Sequence, residues 1–130
     1  MSENNISFIL TIIVLVGFII YQGYQYYTRK KASTVLTEEE FRKGMRKAQL
    51  IDVREKNVFD GGHILGARNI PYTLFKTRMV EIRKDQPIYL YDQGRAVSAR
   101  AAVKLRRAGY EDIYCLKGGY EKWTGKTKRK

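Results

Sequence analysis

The residues whose types and spacing could do chemistry lie in the stretch PIYLYDQGRAVSARAAVKLRRAGY, residues 87–110. This stretch predicts a short apolar strand, a tight loop and a helix, and Asp92 stands where the strand ends. In an open α/β sheet, ligands and reactive groups lie at the carboxyl ends of strands, just before helix N-termini. The role of Asp92 therefore decides whether the protein is an enzyme.

Other reactive side chains are scarce, because the chain has one cysteine, Cys115, and one histidine, His63. One cysteine excludes an intramolecular disulfide and a multi-cysteine metal site, and one histidine argues against a histidine-based site. An aspartyl-phosphate at Asp92 would need further carboxylates to hold magnesium, and Asp52 belongs to a different predicted strand. We therefore expect no metal and no cofactor.

The elements that position these residues alternate between short strands and helices. Thr37 and Glu40 form a capping-box pattern that predicts the start of a helix. Gly109 is placed to end the helix that follows Asp92. Strands are predicted at residues 50–53, 67–70, 88–91 and 113–116, with helices at 73–83 and 98–108. This alternation predicts an α/β fold with a mainly parallel sheet and helices on both faces.

The N-terminal segment has the composition of a membrane anchor. Residues 4–28 contain no charged side chain, and the 22 residues from 6 to 27 would give roughly 33 Å of helix, enough to span a bilayer. The segment lacks the preceding cations and the following small residues of a cleaved signal peptide. A domain of about 100 residues is also too small to bury such a helix on every face.

Positive charge follows this segment directly, as Arg29, Lys30 and Lys31. By the positive-inside rule this cluster contacts the cytoplasmic membrane surface, so the N-terminus lies outside and the remaining chain in the cytoplasm of a single-pass membrane protein. The sequence thus divides into a tail (1–5), a transmembrane helix (6–27), a basic linker (28–34), a folded domain (35–124) and a basic tail (125–130).

The charge of the chain is strongly positive after Thr28, where 25 cations face 12 acids. Such a surplus favours an acidic partner, which could be lipid, nucleic acid or protein. The cations are dispersed and no recognition motif is present, so no nucleic acid is expected. The lipid bilayer is the preferred partner, together with a protein of unknown identity; a solvated surface is the alternative. The dispersed cations are Arg42, Lys43, Arg46, Lys47, Arg100, Lys104, Arg106 and Arg107.

Two motifs resemble the signatures of the rhodanese-like family. LIDVREKNVFDGGHILGARNIP, residues 50–71, is similar to the opening signature, and YEDIYCLKGGYEKW, residues 110–123, to the closing one. The resemblance covers roughly residues 35–123 and implies the rhodanese-like α/β fold. It also implies a structural role for His63 and a glycine turn at 118–119 that lets Trp123 pack. Asp52 and Arg54 are expected to form a structural pair, and the alternative is that the Arg54 side chain faces the loop.

Active members of this family place a cysteine at the end of the fourth strand, and backbone N–H groups of the next loop stabilise its thiolate and persulfide. An alignment without gaps puts Asp92 at that position. The family often has an arginine where this chain has Val97, and Arg95 is a candidate substitute. The equivalent of the active-site loop is then Asp92, Gln93, Gly94, Arg95, Ala96 and Val97.

A carboxylate cannot carry a sulfane sulfur, since the chemistry needs a sulfur that forms and releases an S–S bond. The resemblance therefore implies a membrane-anchored, catalytically inactive domain that acts as a binding or regulatory module at the cytoplasmic membrane face. Asp92 either occupies the loop's anion cradle or points to solvent. The alternative function is sulfur transfer through Cys115 or a partner's thiol, although a buried structural role is the preferred interpretation of Cys115.

Overall fold

The computed structural model describes residues 3–129, without the side chains of residues 28–31. It begins with a thirty-residue helix, α1 (Glu3–Ala32). Within α1, the segment Glu3–Tyr27 is long and apolar enough to cross a membrane, by length and composition. Its apolar side chains are exposed along their whole length, and the predicted span of residues 6–27 lies inside it.

Seven strands follow α1, and five of them form a parallel sheet. In chain order the strands are β1 (Thr34–Leu36), β2 (Gln49–Asp52), β3 (His63–Ile64), β4 (Arg68–Asn69), β5 (Ile88–Tyr91), β6 (Ile113–Leu116) and β7 (Thr127–Lys128). The parallel sheet has the order β1-β6-β5-β2-β4, whereas β3 and β7 form a separate antiparallel pair. The four predicted strands are thereby confirmed as β2, β4, β5 and β6.

Three short strands, β1, β3 and β7, do not appear in the sequence prediction. Each has two or three residues, too few to show an alternation pattern. In the predicted linker, residues 28–34, the first five residues belong to the end of α1, and Thr34 begins β1. The predicted basic tail, residues 125–130, contains β7.

The remaining helices are α2 (Glu38–Gly44), α3 (Lys56–Asp60), α4 (Phe75–Arg78) and α5 (Ala96–Arg107). The capping box at the start of α2 is confirmed, with Thr37 and Glu40 bonded to each other's backbone. The helical stretch predicted around residues 73–83 is present, but it consists of α4 between two 3-10 turns, Tyr72–Leu74 and Met79–Glu81.

The helix after Asp92 begins at Ala96, two residues before the predicted start, and ends at Arg107, one residue before the predicted end. Gly109 follows its C-cap with φ +94°, and the N–H groups of Gly109 and Tyr110 donate to the carbonyls of Arg106 and Leu105. These bonds form a Schellman motif, which needs the left-handed conformation that glycine adopts without strain.

Apolar side chains fill both faces of the sheet. One cluster lies between the sheet and α5 and contains Leu90, Leu105 and Cys115. The other lies on the α2 side and contains Phe41 and Tyr91. The end of α1 also reaches the first cluster, since Ala32 is buried there and its carbonyl accepts a hydrogen bond from Arg106 at 3.3 Å. Helices therefore cover both faces of a mainly parallel sheet, as predicted.

Candidate functional site

The candidate site lies at the carboxyl edge of the sheet, where β5 ends and the loop to α5 begins. Asp92 directly follows β5 and is only 4% exposed, so its side chain does not point to solvent. One carboxylate oxygen, Oδ2, accepts a hydrogen bond from the backbone N–H of Val97 at 3.1 Å. Because Val97 is in the first turn of α5, Asp92 supplies negative charge to the N-terminus of that helix.

The second carboxylate oxygen of Asp92 has a different environment. Oδ1 is buried, and no described group donates a hydrogen bond to it. Arg95 is the N-cap residue of α5 and makes no side-chain capping bond, and its Nε atom is likewise buried without a described acceptor. Buried polar atoms without partners cost free energy. They are therefore uncommon in a purely structural loop.

A second backbone segment holds the loop in place from the carboxyl end of β6. The N–H groups of Tyr120 and Glu121 donate to the carbonyls of Asp92 and Gln93 at 2.8 and 3.0 Å. Gly119 makes this approach possible, because a Cβ atom there would lie 2.2 Å from the carbonyl oxygen of Gly94. Its φ of +63° also favours glycine. The glycine pair thus joins the loop to the end of β6.

Asp52 and Arg54 form the buried ion pair beside this loop. The Arg54 backbone N–H and guanidinium donate to both Asp52 oxygens, with an Nη2 to Oδ2 distance of 2.7 Å. Burial works to lower the pKa of the guanidinium, but the hydrogen bonds and charge of Asp52 outweigh it and raise the pKa above its ordinary value. The predicted pairing of Asp52 with Arg54 is present in the structure.

Arg54 also faces the loop, which was the alternative direction for its side chain. Its Nη1 donates to Oε1 of Gln93 at 3.2 Å, and its guanidinium lies 4.2 Å from the ring centroid of Tyr120. Gln93 is otherwise exposed. The same guanidinium therefore contacts β2, the loop and the turn after β6.

Cys115 lies beneath the first turn of α5. Its side chain is fully buried, and the thiol is 3.3 Å from the hydroxyl of Ser33 and 3.8 Å from the carbonyl of Ser98. Burial raises the pKa of the thiol, while the hydrogen bond to Ser33 and the charge of Arg95 offset part of this rise. A buried thiol with a raised pKa is a poor nucleophile at neutral pH.

His63 is buried, and its described contacts do not include Asp92. Its Nδ1 is 2.8 Å from the carbonyl of Phe59, and its ring stacks on the ring of Phe59 with centroids 3.7 Å apart. These contacts tie α3 to β3. Among residues 3–129, no group of three or more His, Cys, Asp and Glu side chains could hold a metal ion.

The six residues of the predicted loop lie together at the carboxyl edge of the sheet. Gly94 forms the turn, Arg95 precedes α5, and Ala96 and Val97 are its first two residues. The predicted membrane contacts Arg29, Lys30 and Lys31 are not brought to this loop by any described interaction. Their side chains lie outside the part of the chain that the structure describes.

Comparison with models of known protein families identifies the family to which this chain belongs. The sequence model of the rhodanese-like domain matches residues 37–126, more than two thirds of the chain. The chain belongs to the rhodanese-like family. The match covers β2, the loop and both glycines of the turn after β6, which are the parts that form the candidate site.

Relatives of this rhodanese-like chain include proteins with and without an assigned activity. It is 55% identical to the uncharacterized protein YqhL of Bacillus subtilis, over 95% of this chain and 98% of that protein. It is 31% identical to the thiosulfate sulfurtransferase GlpE of Shewanella oneidensis, over 60% of this chain and 77% of that protein. The rhodanese-like domain of the Anabaena protein Alr3790 matches with a TM-score of 0.68 and 26% identity, over 75% of this chain and 80% of that one.

The contacts that hold the loop closed were not found from the sequence. The donation by the Tyr120 and Glu121 amides joins residues nearly thirty positions from the loop, and the resemblance assigned the glycine pair only to the packing of Trp123. The sequence allowed two possible directions for the Arg54 side chain, so its contact with Gln93 was not predicted. The one available signal was the double glycine itself, which indicates close backbone approach.

Proposed function

We propose that this chain is a membrane-anchored rhodanese-like domain without sulfurtransferase activity, which acts as a binding or regulatory module at the cytoplasmic membrane face. In this proposal Asp92 takes the place of the catalytic cysteine. The single observation that carries it is the buried Asp92 carboxylate bonded to the Val97 N–H at the start of α5. The chain's own carboxylate thus uses a backbone donor that a bound persulfide or anion would need.

The position of Cys115 supports the absence of sulfur transfer. A cysteine that transfers sulfur must be reached first by the sulfur donor, which its thiolate attacks. It must then be reached by the acceptor, which attacks the bound sulfur. Cys115 is fully buried under α5, and burial raises the pKa of its thiol. Its sulfur is therefore neither accessible nor in the thiolate form that such exchange requires.

Sulfur transfer through Cys115 or through a partner's thiol is the second candidate function. The observation in its favour is the relative named thiosulfate sulfurtransferase, which is 31% identical to this chain. The Arg95 guanidinium, whose charge works to lower the pKa of the Cys115 thiol, also favours it. Opening of the loop at Asp92 would have to expose Cys115 for this chemistry.

A thiosulfate to cyanide transfer assay separates the two functions. The full chain in detergent or nanodiscs is expected to form thiocyanate no faster than the solution without protein. Turnover that disappears in Cys115→Ser would establish the second function and overturn the first. Asp92→Asn is the matched control, because it keeps an oxygen for the Val97 N–H and replaces the charged carboxylate by a neutral amide.

The membrane part of the proposal rests on the apolar length of α1 and on the cations that follow it. With Arg29, Lys30 and Lys31 inside, the loop at Asp92 faces the cytoplasm. Protease added to intact cells tests this orientation. The domain should stay intact until the membrane is permeabilised, whereas cleavage in intact cells would reverse the orientation.

A further inference from the structure

A groove of about 1010 Å³ lies on the α2 face of the sheet, away from the loop at Asp92. We name it the Trp123 groove, after the indole in its wall. One wall is formed by α2 and the 3-10 turn after it, and the other by the chain at residues 65–66 and 123–126. Its size matches the pockets that hold small molecules.

The lining combines apolar side chains with positive charge. Leu50, Leu65 and Trp123 provide apolar surface, and Arg42, Arg46 and Lys126 bring three cations to the same groove. No carboxylate lines it among the residues that the structure describes. A cleft with one sign of charge and low-dielectric walls concentrates ions of the opposite sign.

These cations differ in how they are held. The Arg42 guanidinium lies 5.1 Å from the Trp123 ring centroid and donates to the Thr124 hydroxyl at 3.3 Å. Glu38 accepts hydrogen bonds from Thr124 behind this wall, and its charge partly balances Arg42. Within residues 3–129, Arg46 and Lys126 form no ion pair. Two positive charges therefore face the groove without an internal counterion.

A second cleft, of about 520 Å³, is also lined by cations. Lys56, Arg68 and Arg78 have acidic partners there, whereas Lys128 has none among the residues that the structure describes. Lys56 pairs with Asp60 at 2.8 Å, and Arg78 pairs with Glu81 at 2.9 Å. Both clefts therefore carry positive charge, and the Trp123 groove is the larger of the two.

The outer wall of the groove is anchored by backbone contacts. The Leu65 N–H and the Trp123 indole N–H both donate to the Lys126 carbonyl, at 3.0 and 3.3 Å. β7 then pairs with β3 directly after Lys126. These contacts hold the wall in one position, which lowers the ordering cost of binding.

From this lining we infer that the Trp123 groove binds an organic anion, with a phosphate or carboxylate group between Arg46 and Lys126 and an apolar body against Trp123 and Leu65. The inference does not depend on whether the loop at Asp92 transfers sulfur. Both a free organic phosphate and the headgroup of an anionic lipid have this chemistry. The experiment below distinguishes these two sources.

Trp123 makes the groove directly observable, because it is the only tryptophan of the chain. The full chain in phosphatidylcholine nanodiscs is titrated with phenyl phosphate while tryptophan emission is followed. A saturable change is expected, with binding at least tenfold tighter than that of inorganic phosphate or benzyl alcohol, which carry only the charge or only the ring. No saturable change, or equal binding of inorganic phosphate, would overturn the inference.

Charge variants on the two walls test the residues. Arg46→Gln and Lys126→Gln should each weaken the binding of phenyl phosphate about threefold or more. This is the effect expected from the loss of one exposed charge contact. Lys47→Gln is the matched control, since Lys47 belongs to the same 3-10 turn as Arg46 but does not line the groove. Equal weakening by Lys47→Gln and Arg46→Gln would mean that only net charge matters, and would refute the site.

Nanodiscs that contain phosphatidic acid identify the source of the anion. A headgroup in the groove should change Trp123 emission without added probe, and Arg46→Gln should reduce that change. Unchanged emission together with phenyl phosphate binding indicates a free organic anion. Both results support an anion site, whereas a lipid-induced change that persists in Arg46→Gln and Lys126→Gln would place the lipid elsewhere and count against it.

Discussion

Two aspartates at the ends of neighbouring parallel strands have opposite surroundings. Asp52 ends β2 and is fully buried, and both of its oxygens accept hydrogen bonds from Arg54. Asp92 follows β5 and is also buried. One of its carboxylate oxygens accepts a hydrogen bond from the Val97 N–H, and the other has no described donor.

The difference follows from where each partner comes from along the chain. Arg54 is two residues from Asp52 and carries a guanidinium that can bond both oxygens of one carboxylate. Asp92 meets only backbone from its own loop, and the loop's shape is fixed by the Tyr120 and Glu121 amides. Asp52 therefore stabilises the fold, whereas Asp92 occupies a polar place that is only partly satisfied.

The largest effect is expected when Asp52 loses its partner. Arg54→Met should lower the free energy of unfolding by about 3–5 kcal/mol, because it leaves a buried carboxylate without its charge partner. Urea unfolding of the full chain in detergent, followed by Trp123 emission, measures this. A loss below about 1 kcal/mol would mean that Asp52 is as weakly held as Asp92.

Replacing each carboxylate by its amide compares the two sites directly. Asp52→Asn should cost about 2 kcal/mol more than Asp92→Asn. The first change leaves the Arg54 charge buried and unpaired, whereas the second keeps an oxygen for the Val97 N–H. The same unfolding assay applies to both variants, and equal losses would contradict the distinction between them.

A cysteine at position 92 tests whether the loop favours an anion. In Asp92→Cys the new thiol should react with iodoacetamide about tenfold faster than Cys115, since the Val97 N–H and the N-terminus of α5 stabilise a thiolate. Mass spectrometry of peptides after timed alkylation gives both rates within one protein. Equal rates would show that the loop does not stabilise negative charge.

The smallest effect concerns pH, through the thiol beneath the Asp92 loop. Burial raises the pKa of folded Cys115, so the unfolded chain, with a pKa near 8.5, releases its proton first as pH rises. This stabilisation is complete below about pH 8 and decreases as pH rises, by at most about 0.8 kcal/mol between pH 7 and 9. In Cys115→Ser the loss over this interval should be smaller by that amount; an identical loss would refute the raised pKa.

Much of the fold was predictable because it depends on short patterns. The strands at residues 88–91 and 113–116 were predicted with the bounds that the structure has. The capping box at Thr37 and the left-handed Gly109 were also predicted, since each is defined by residues within one helical turn. The helical stretch predicted around residues 73–83 has a 3-10 turn on each side of α4, a detail that apolar periodicity does not encode.

The candidate site was predicted only in part. The position of Asp92 at a strand end followed from the strand pattern, whereas the burial of its carboxylate depended on the path of the loop. The direction of Arg95 could not be derived from the sequence, and its Nε proved to be buried. The Trp123 groove was not predicted, because its walls come from residues 42–50, 65–66 and 123–126.

The sequence by itself determined the apolar N-terminal helix, the parallel α/β sheet and the placement of Asp92 before α5, since each depends on neighbours along the chain. The tertiary structure alone decided that Gly119 lies against the loop carbonyls, that Arg54 joins Asp52 to Gln93, and that cations and Trp123 line one groove. These contacts join segments far apart in the chain. Their geometry depends on how the sheet brings strand ends together, and no local pattern of residues specifies it.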